Sequence, residues 1–147
     1  MRRIAIALAV LIAAVAPAAA SGGLWCDAKD ANVTFEATAG VTRGTGAFFQ
    51  LKGTLDVAIE EIPEDLRNLP LDGMLIHSWL DGDEVKLQFY FERQDGEFAS
   101  IDLTVETEMV DEGEYRGGYV LTILESRPSE PELGQWSAQG EATCGDE

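Results

Sequence analysis

Apolar and polar side chains alternate along residues 85–92 and 99–106, and this period of two constrains the fold more than any other feature. Successive side chains of a β-strand point to opposite faces, so alternation is typical of strands with one buried and one solvated face. Gly, Asp and Pro interrupt the apolar stretches as turn residues do. We predict an all-β domain, with strands near the following residues: 32–38, 46–59, 74–80, 84–93, 97–106, 114–125 and 134–143.

Three glycine-containing turns predict how the middle strands pair. They lie at residues 81–84, 94–96 and 111–113, and their glycines supply the left-handed backbone that short hairpin loops need. All the pairs expected from these turns place apolar residues on one face, and this agreement supports the prediction. The pairs are Met74–Phe91, Ile76–Phe89, Leu80–Val85, Phe91–Ala99, Phe89–Ile101, Leu87–Leu103, Val85–Val105, Val105–Tyr119, Leu103–Leu121 and Ile101–Ile123.

The segment before these hairpins predicts a bent strand followed by a short helix. Gly53 interrupts a row of residues expected to face inward (Phe49, Leu51, Leu55, Val57 and Ile59), which indicates a bend. A helix near 63–69 would cover one end of the sheet with three apolar residues: Ile62, Leu66 and Leu69. We expect an antiparallel meander of about seven to eight strands that forms a closed or nearly closed β-barrel. The alternative is a two-sheet β-sandwich.

The N-terminus has the three parts of a secretory signal peptide. Two arginines precede an uninterrupted apolar run at residues 4–15, and a stretch of small residues ends at Ala20. The apolar run is shorter than the roughly 20 residues that span a bilayer, so we predict no membrane span. We expect residues 1–20 to be cleaved as a signal peptide and residues 21–147 to form a single domain, periplasmic or secreted.

The two cysteines predict a disulfide between the ends of this domain. Cys26 and Cys144 are an even pair in an exported chain, where cysteines are normally oxidised. The bulky Trp25 immediately before Cys26 is unsuited to a lipid-attachment site. Bridged cysteines require close Cα atoms, so the first and last strands should lie side by side.

The charge of the chain limits its partners. Removal of residues 1–20 leaves eight basic residues against 27 acidic ones, a formal net charge of −19. Such a surface repels nucleic acid and anionic lipid, and it favours a cationic protein or envelope component as partner. The oligomeric state is not predicted.

The motifs that carry common enzymatic chemistry are absent from the sequence. His77 is the only histidine, and there is no nucleophile elbow, zinc-protease motif, phosphate-binding loop or dinucleotide-binding motif. The acidic stretches at 81–84 and 111–114 do not follow the spacing of a calcium-binding loop. We therefore predict no enzyme, no cofactor and no metal.

One group of exposed residues suggests a binding surface. On the face opposite the predicted core, the expected register pairs Leu75 with Tyr90, His77 with Gln88 and Trp79 with Lys86, and it brings Phe98 near Tyr90. The candidate partner-binding patch is Leu75, His77, Trp79, Tyr90 and Phe98. We predict a non-enzymatic binding protein, one form of which is an inhibitor of a cationic enzyme such as lysozyme. The alternative is a carrier that holds a small ligand in a barrel cavity.

Overall fold

Nine antiparallel strands follow one another in the computed structural model, which describes residues 21–42, 45–127 and 132–146. The strands are β1 (Ser21–Lys29), β2 (Val33–Thr42), β3 (Phe48–Val57), β4 (Asn68–Pro70), β5 (Leu75–Asp81), β6 (Glu84–Glu92), β7 (Ala99–Asp111), β8 (Glu114–Glu125) and β9 (Gly134–Asp146). The prediction of an all-β antiparallel meander is confirmed. The strands outnumber the predicted seven to eight because β1 and β4 are strands of their own. The predicted signal peptide, residues 1–20, lies outside the described residues.

All nine strands belong to one sheet, in the order β4-β3-β2-β1-β9-β8-β7-β6-β5. The sheet curls into a half-barrel, and its two end strands, β4 and β5, do not pair with each other. The barrel is therefore open rather than closed, and the two-sheet sandwich considered as an alternative is wrong. The chain passes directly from β4 to β5 through residues 71–74, so the two edges are joined covalently at one end.

The concave face of the sheet carries the hydrophobic core. Alternate residues of β2, β6, β7 and β8 are buried, as the period of two predicted. The largest buried side chains are Tyr115, Tyr119, Phe35, Phe89, Leu55, Ile62, Leu66, Leu71, Leu87, Leu103, Leu121 and Ile123. Among the described residues no second sheet packs on the opposite, convex face, and several of its side chains are exposed, Trp79 and Val120 among them.

The disulfide between Cys26 and Cys144 is present, as predicted. The two cysteines are directly opposite each other where β1 pairs with β9, a ladder of only four residue pairs. Both are buried in the core. The first and last strands therefore meet in the middle of the sheet, and the disulfide reinforces the short ladder that joins its two halves.

The turn residues predicted the β7–β8 register correctly. The predicted β6–β7 register differs from the observed one by two residues. Every expected β7–β8 pair is present, including Ile101–Ile123, and Glu108 is opposite Arg116 on the exposed face. In the β6–β7 hairpin, however, Phe89 is opposite Leu103 rather than Ile101. The expected three-residue loop is longer, with Glu92–Ser100 as the innermost pair of the ladder. Because the shift is an even number of residues, the buried face is unchanged.

The longer loop makes a tertiary contact at its first residue. Arg93 at its start points to the segment that covers the end of the barrel, where its guanidinium donates two hydrogen bonds to the Asp65 carboxylate, at 2.8 and 2.9 Å. A third bond from Arg93 reaches the Glu97 carbonyl at 2.9 Å. The Arg93 backbone N–H also donates to the Ala99 carbonyl at 2.9 Å, so the residue closes the hairpin while its side chain contacts the covering segment.

Asp65 belongs to the segment that the sequence predicted as a helix near 63–69. That segment forms a single 3₁₀ turn, Glu64–Leu66. The three residues expected to cover the end of the sheet are all buried: Ile62, Leu66 and Leu69. The predicted cap is therefore confirmed, although the helix is shorter than expected.

Two β-bulges overturn other parts of the predicted alternation. In β5, an extra residue between Leu75 and His77 pairs Leu75 with Phe89 and leaves Ile76 exposed, so the expected Ile76–Phe89 and Met74–Phe91 pairs are wrong. The predicted Leu80–Val85 pair is confirmed.

In β3 the irregularity lies at Gln50, whose φ of 51° is in the left-handed region, and not at Gly53. Phe49 is consequently exposed, whereas the sequence predicted it to face inward. Gly53 is instead needed because the neighbouring strand comes so close that an added Cβ would overlap the Glu36 carbonyl oxygen. The other predicted inward residues pack within or against the core: Leu51, Leu55, Val57 and Ile59.

A tyrosine ties the β1–β2 turn to β8. The hydroxyl of buried Tyr119 donates a hydrogen bond to the exposed carboxylate of Asp30, which also accepts bonds from the backbone N–H groups of Asn32 and Val33. The Tyr119 hydroxyl bond is the main cause that lowers the pKa of Asp30. Burial, and then the bond to Asp30, raises the pKa of Tyr119. The folded state therefore favours an ionised aspartate beside a neutral phenol.

We predict that the disulfide makes a large contribution to stability. It joins residues 118 apart in sequence, so reduction frees a long loop in the unfolded chain and should lower the free energy of unfolding by about 4–5 kcal/mol. Urea unfolding of the oxidised chain, the reduced chain and a Cys26→Ala/Cys144→Ala variant measures this effect. Equal unfolding free energies in the oxidised and reduced chains would contradict the prediction.

We also predict a pH-dependent contribution from the Tyr119–Asp30 bond. Tyr119→Phe should lower the free energy of unfolding by about 1 kcal/mol near neutral pH. Because the folded-state pKa of Asp30 is lowered, its contribution is present above the ordinary value of 3.8 and is lost as the pH falls below it. Because the folded-state pKa of Tyr119 is raised, the contribution of Tyr119 to stability is present below the ordinary pKa of 10.0. This contribution is lost as the pH rises further.

Urea unfolding of the wild type and Tyr119→Phe across the pH range tests both limits. The difference between the two proteins should be largest between these values and should shrink in acid and in strong alkali. A difference that stays constant from acid to alkali would show that the bond does not contribute in this way.

Candidate functional site

Three of the five predicted patch residues lie together on the convex face. His77 and Trp79 project from β5, and Tyr90 projects from β6. The predicted pairs His77–Gln88 and Trp79–Lys86 are both present. Trp79 is 54% exposed, which is unusual for so large an apolar side chain. On β6, Lys86 (opposite Trp79) and Tyr90 are four residues apart, and Gln88 (opposite His77) lies between them. The three residues therefore form the elongated centre of what we call the convex patch.

The other two predicted residues do not join this centre. The bulge in β5 places Leu75 opposite Phe89, so Leu75 packs against the core and does not pair with Tyr90. Tyr90 is instead opposite Asp102 on β7. Phe98 is exposed but precedes β7, four residues from Asp102, which is about 13 Å along a strand. The two-residue change in the β6–β7 register separates Phe98 from Tyr90.

Sequence reasoning missed one exposed apolar residue beside the convex patch. Ile76 is 49% exposed, next to His77 in the β5 bulge. Strict alternation assigns it to the core, and no local sequence signal marks the bulge. We include Ile76 in the convex patch, which then comprises Ile76, His77, Trp79 and Tyr90.

A chain of polar side chains crosses three strands at the centre of the patch. The Gln88 amide nitrogen donates to the Asp102 carboxylate at 2.8 Å, and the Thr104 hydroxyl donates to the same carboxylate at 3.3 Å. The amide oxygen of Gln88 lies 3.1 Å from Nδ1 of His77. Since this oxygen only accepts hydrogen bonds, Nδ1 of His77 must be the donor. The chain orients His77 from the next strand but supplies no nucleophile.

Carboxylates surround the convex patch. Glu92 accepts a hydrogen bond from the Tyr90 hydroxyl at 2.8 Å, and this bond is the main cause that raises the pKa of Tyr90. Glu84 lies 3.5 Å from the Lys86 ammonium, which sits beside Trp79 in the pairing. Glu106 is opposite Lys86 on the other side. The surroundings of the patch are therefore predominantly negative. Its lysine, Lys86, forms an ion pair with Glu84 and is opposite Glu106 in the strand pairing.

The acidic turns bring further carboxylates close together at one end of the sheet. The hairpin turns at 81–84 and 111–114 flank a shallow groove that contains Glu108, Met109 and Val110. In the described ranges, no three His, Cys, Asp or Glu side chains converge as metal ligands would. Nor does any helix in this part of the chain have the length and apolar character needed to cross a membrane.

Buried side chains of the described residues pack together on the concave face, away from the open side at β5. Tyr119 and Phe35 meet edge to face there, with ring centroids 6.4 Å apart. The carrier function considered from the sequence stays a prediction.

Comparison with known protein families, with curated protein sequences and with solved structures finds no match for this chain. The geometry of the described residues is therefore the basis for assigning a function.

The polar chain predicts the tautomer of His77. In the neutral ring the proton should reside on Nδ1, because the Gln88 amide oxygen accepts from that atom. Gln88→Leu should remove this preference, whereas Thr104→Val, which deletes a different bond to Asp102, should leave it intact. Ring ¹⁵N chemical shifts report the tautomer, and the same tautomer in wild type and Gln88→Leu would contradict the assignment.

Proposed function

We propose that this chain is an exported, non-enzymatic binding protein that engages a cationic partner protein through the convex patch. One observation carries the proposal: Trp79 is 54% exposed on the convex face, which no second sheet of the described residues covers, with exposed Ile76 nearby in the chain and a border of carboxylates. Exposed aromatic and apolar residues with a polar border are typical of protein–protein interfaces.

The charge of the chain supports a cationic partner. A formal net charge of −19 without residues 1–20 attracts basic proteins from a distance and increases the rate of association. Near the patch, Glu84, Glu92 and Glu106 offer carboxylates to basic side chains of a partner. The apolar centre then provides short-range contact, while the charged border gives orientation. An inhibitor of a cationic enzyme such as lysozyme is one form of this function.

The compartment supports the same proposal. The Cys26–Cys144 disulfide fits an oxidising environment, and the N-terminal sequence fits export to the periplasm or the cell exterior. A sheet reinforced by a disulfide is a rigid scaffold for a binding surface.

The test compares retention of envelope proteins by immobilised variants of the oxidised chain. Wild type should retain a cationic protein at low ionic strength and release it at high ionic strength, since screening weakens the attraction. Trp79→Ala and Tyr90→Ala should each weaken binding at least about tenfold, as expected for aromatic residues at the centre of an interface. The dissociation constant for the retained protein is the measured quantity, with lysozyme as a defined cationic probe.

Trp25→Ala is the matched control for Trp79→Ala. Trp25 is an exposed tryptophan on β1, at a distance from the patch, so its replacement should leave binding unchanged. The proposal is contradicted if no cationic protein is retained, if retention is insensitive to salt, or if Trp25→Ala weakens binding as much as Trp79→Ala does.

A further inference from the structure

The two edges of the open sheet differ in how well they are protected. β4 has three residues and ends in Pro70, and short length and proline both discourage pairing with another strand. β5 has seven residues, Leu75–Asp81, without lysine or proline. Within the described part of the chain, β5 pairs only with β6. The β5 edge is therefore a template for a further strand, with a bulge near its start as its only irregularity.

The register identifies which backbone groups of β5 point away from β6. The two-residue turn Gly82–Asp83 makes Asp81–Glu84 a hydrogen-bonded pair, and such pairs alternate with non-bonded ones along an antiparallel ladder. Trp79 and His77 therefore bond to β6, whereas the N–H and C=O groups of Ser78 and Leu80 point outward. Among the described residues, no turn or loop carbonyl accepts a hydrogen bond from the Ser78 amide.

The interior beside this edge is open to solvent. Ser78 is opposite Leu87 and shares its concave face, yet Ser78 is exposed while Leu87 is buried. A cleft of about 620 Å³ runs beside Ser78–Gly82 and separates them from the end of the β2–β3 hairpin. At its narrow point Gly46 packs against the Leu80 carbonyl, where an added Cβ would lie 2.9 Å from the oxygen.

We propose that the β5 edge receives an extended, basic segment of the partner protein, which adds a tenth strand to the sheet at the open side of the barrel. This inference rests on the proposed function and specifies its binding mode, in which main-chain hydrogen bonds to the N–H and C=O groups of Ser78 accompany side-chain contacts with Trp79, while Gly46 covers the Leu80 carbonyl. Strand addition would also cover the exposed concave side at Ser78.

Charge favours a basic segment over a second copy of the chain. Asp81 and Asp146 line the cleft, and its described lining contains no lysine or arginine. Two copies, each with a formal charge of −17 for the full sequence or −19 without residues 1–20, would repel each other on approach. A segment with alternating basic side chains would neutralise the aspartates while its backbone pairs with β5.

The experiment selects peptides from a random displayed library against the oxidised chain and then maps where they bind. Selected peptides should be rich in lysine or arginine and poor in proline. Their binding should slow hydrogen exchange of the Ser78 amide at least about tenfold, because the amide gains a hydrogen-bond partner. Ser78→Pro should weaken binding at least about tenfold, since proline has no N–H and blocks strand addition.

Ser78→Ala is the matched control, because it removes the hydroxyl but keeps the N–H, and it should bind as the wild type does. Ser78→Pro should itself remain folded, since the β5–β6 ladder does not use this N–H, and circular dichroism checks this. The exchange measurement on the wild type does not depend on any variant.

Several outcomes would overturn the inference. These are the absence of selected peptides, unchanged exchange of the Ser78 amide, or a dimer of this chain whose formation protects that amide without a peptide. Partner binding that Tyr90→Ala weakens and Ser78→Pro leaves intact would reject strand addition but preserve the proposed function of the convex patch. Binding that neither variant weakens would reject both.

Discussion

The half-barrel depends on the short contact between the first and last strands. Only four residue pairs join β1 to β9, and one of these pairs is the disulfide between Cys26 and Cys144. Each half of the sheet is otherwise a meander of hairpins between sequence neighbours. Without this contact the chain would join the two halves through residues 71–74, and the side-chain contacts Tyr119–Asp30 and Arg93–Asp65 would remain between them.

The position of this contact determines where the sheet is open. Because β1 and β9 pair at the centre, the free edges belong to β4 and β5, which are neighbours in sequence but not in the sheet. The 3₁₀ turn and the loop between β6 and β7, linked by Arg93 and Asp65, cover one end of the barrel. The side near Ser78 stays uncovered, and the convex face of the adjoining strands carries the exposed tryptophan. The proposed binding surface and the proposed strand addition therefore both follow from one topology.

The candidate site shows how far local sequence patterns extend. His77, Trp79 and Tyr90 were found on the exposed face because alternation assigns a face to every second residue, and a two-residue change in register preserves that face. Leu75 was misplaced because of the β5 bulge, and Phe98 because of the longer β6–β7 loop. Both change which residues are neighbours, and the alternation of apolar and polar residues does not reveal either. Ile76 was missed for the same reason. A site that spans several strands depends on register, and register is less local than strand identity.

The sequence by itself determined the strand content, the buried face from residue 85 to residue 123, the β7–β8 register and the pairing of Cys26 with Cys144. The strand content, the buried face and the β7–β8 register depend on the period of two and on a turn glycine, which act locally. The disulfide follows because the sequence contains only two cysteines. The open sheet order, the bulges in β3 and β5 and the β6–β7 register emerge only in the tertiary structure. The sheet order depends on the pairing of β1 with β9, which are far apart in the sequence, and no local pattern records the free energy of that contact.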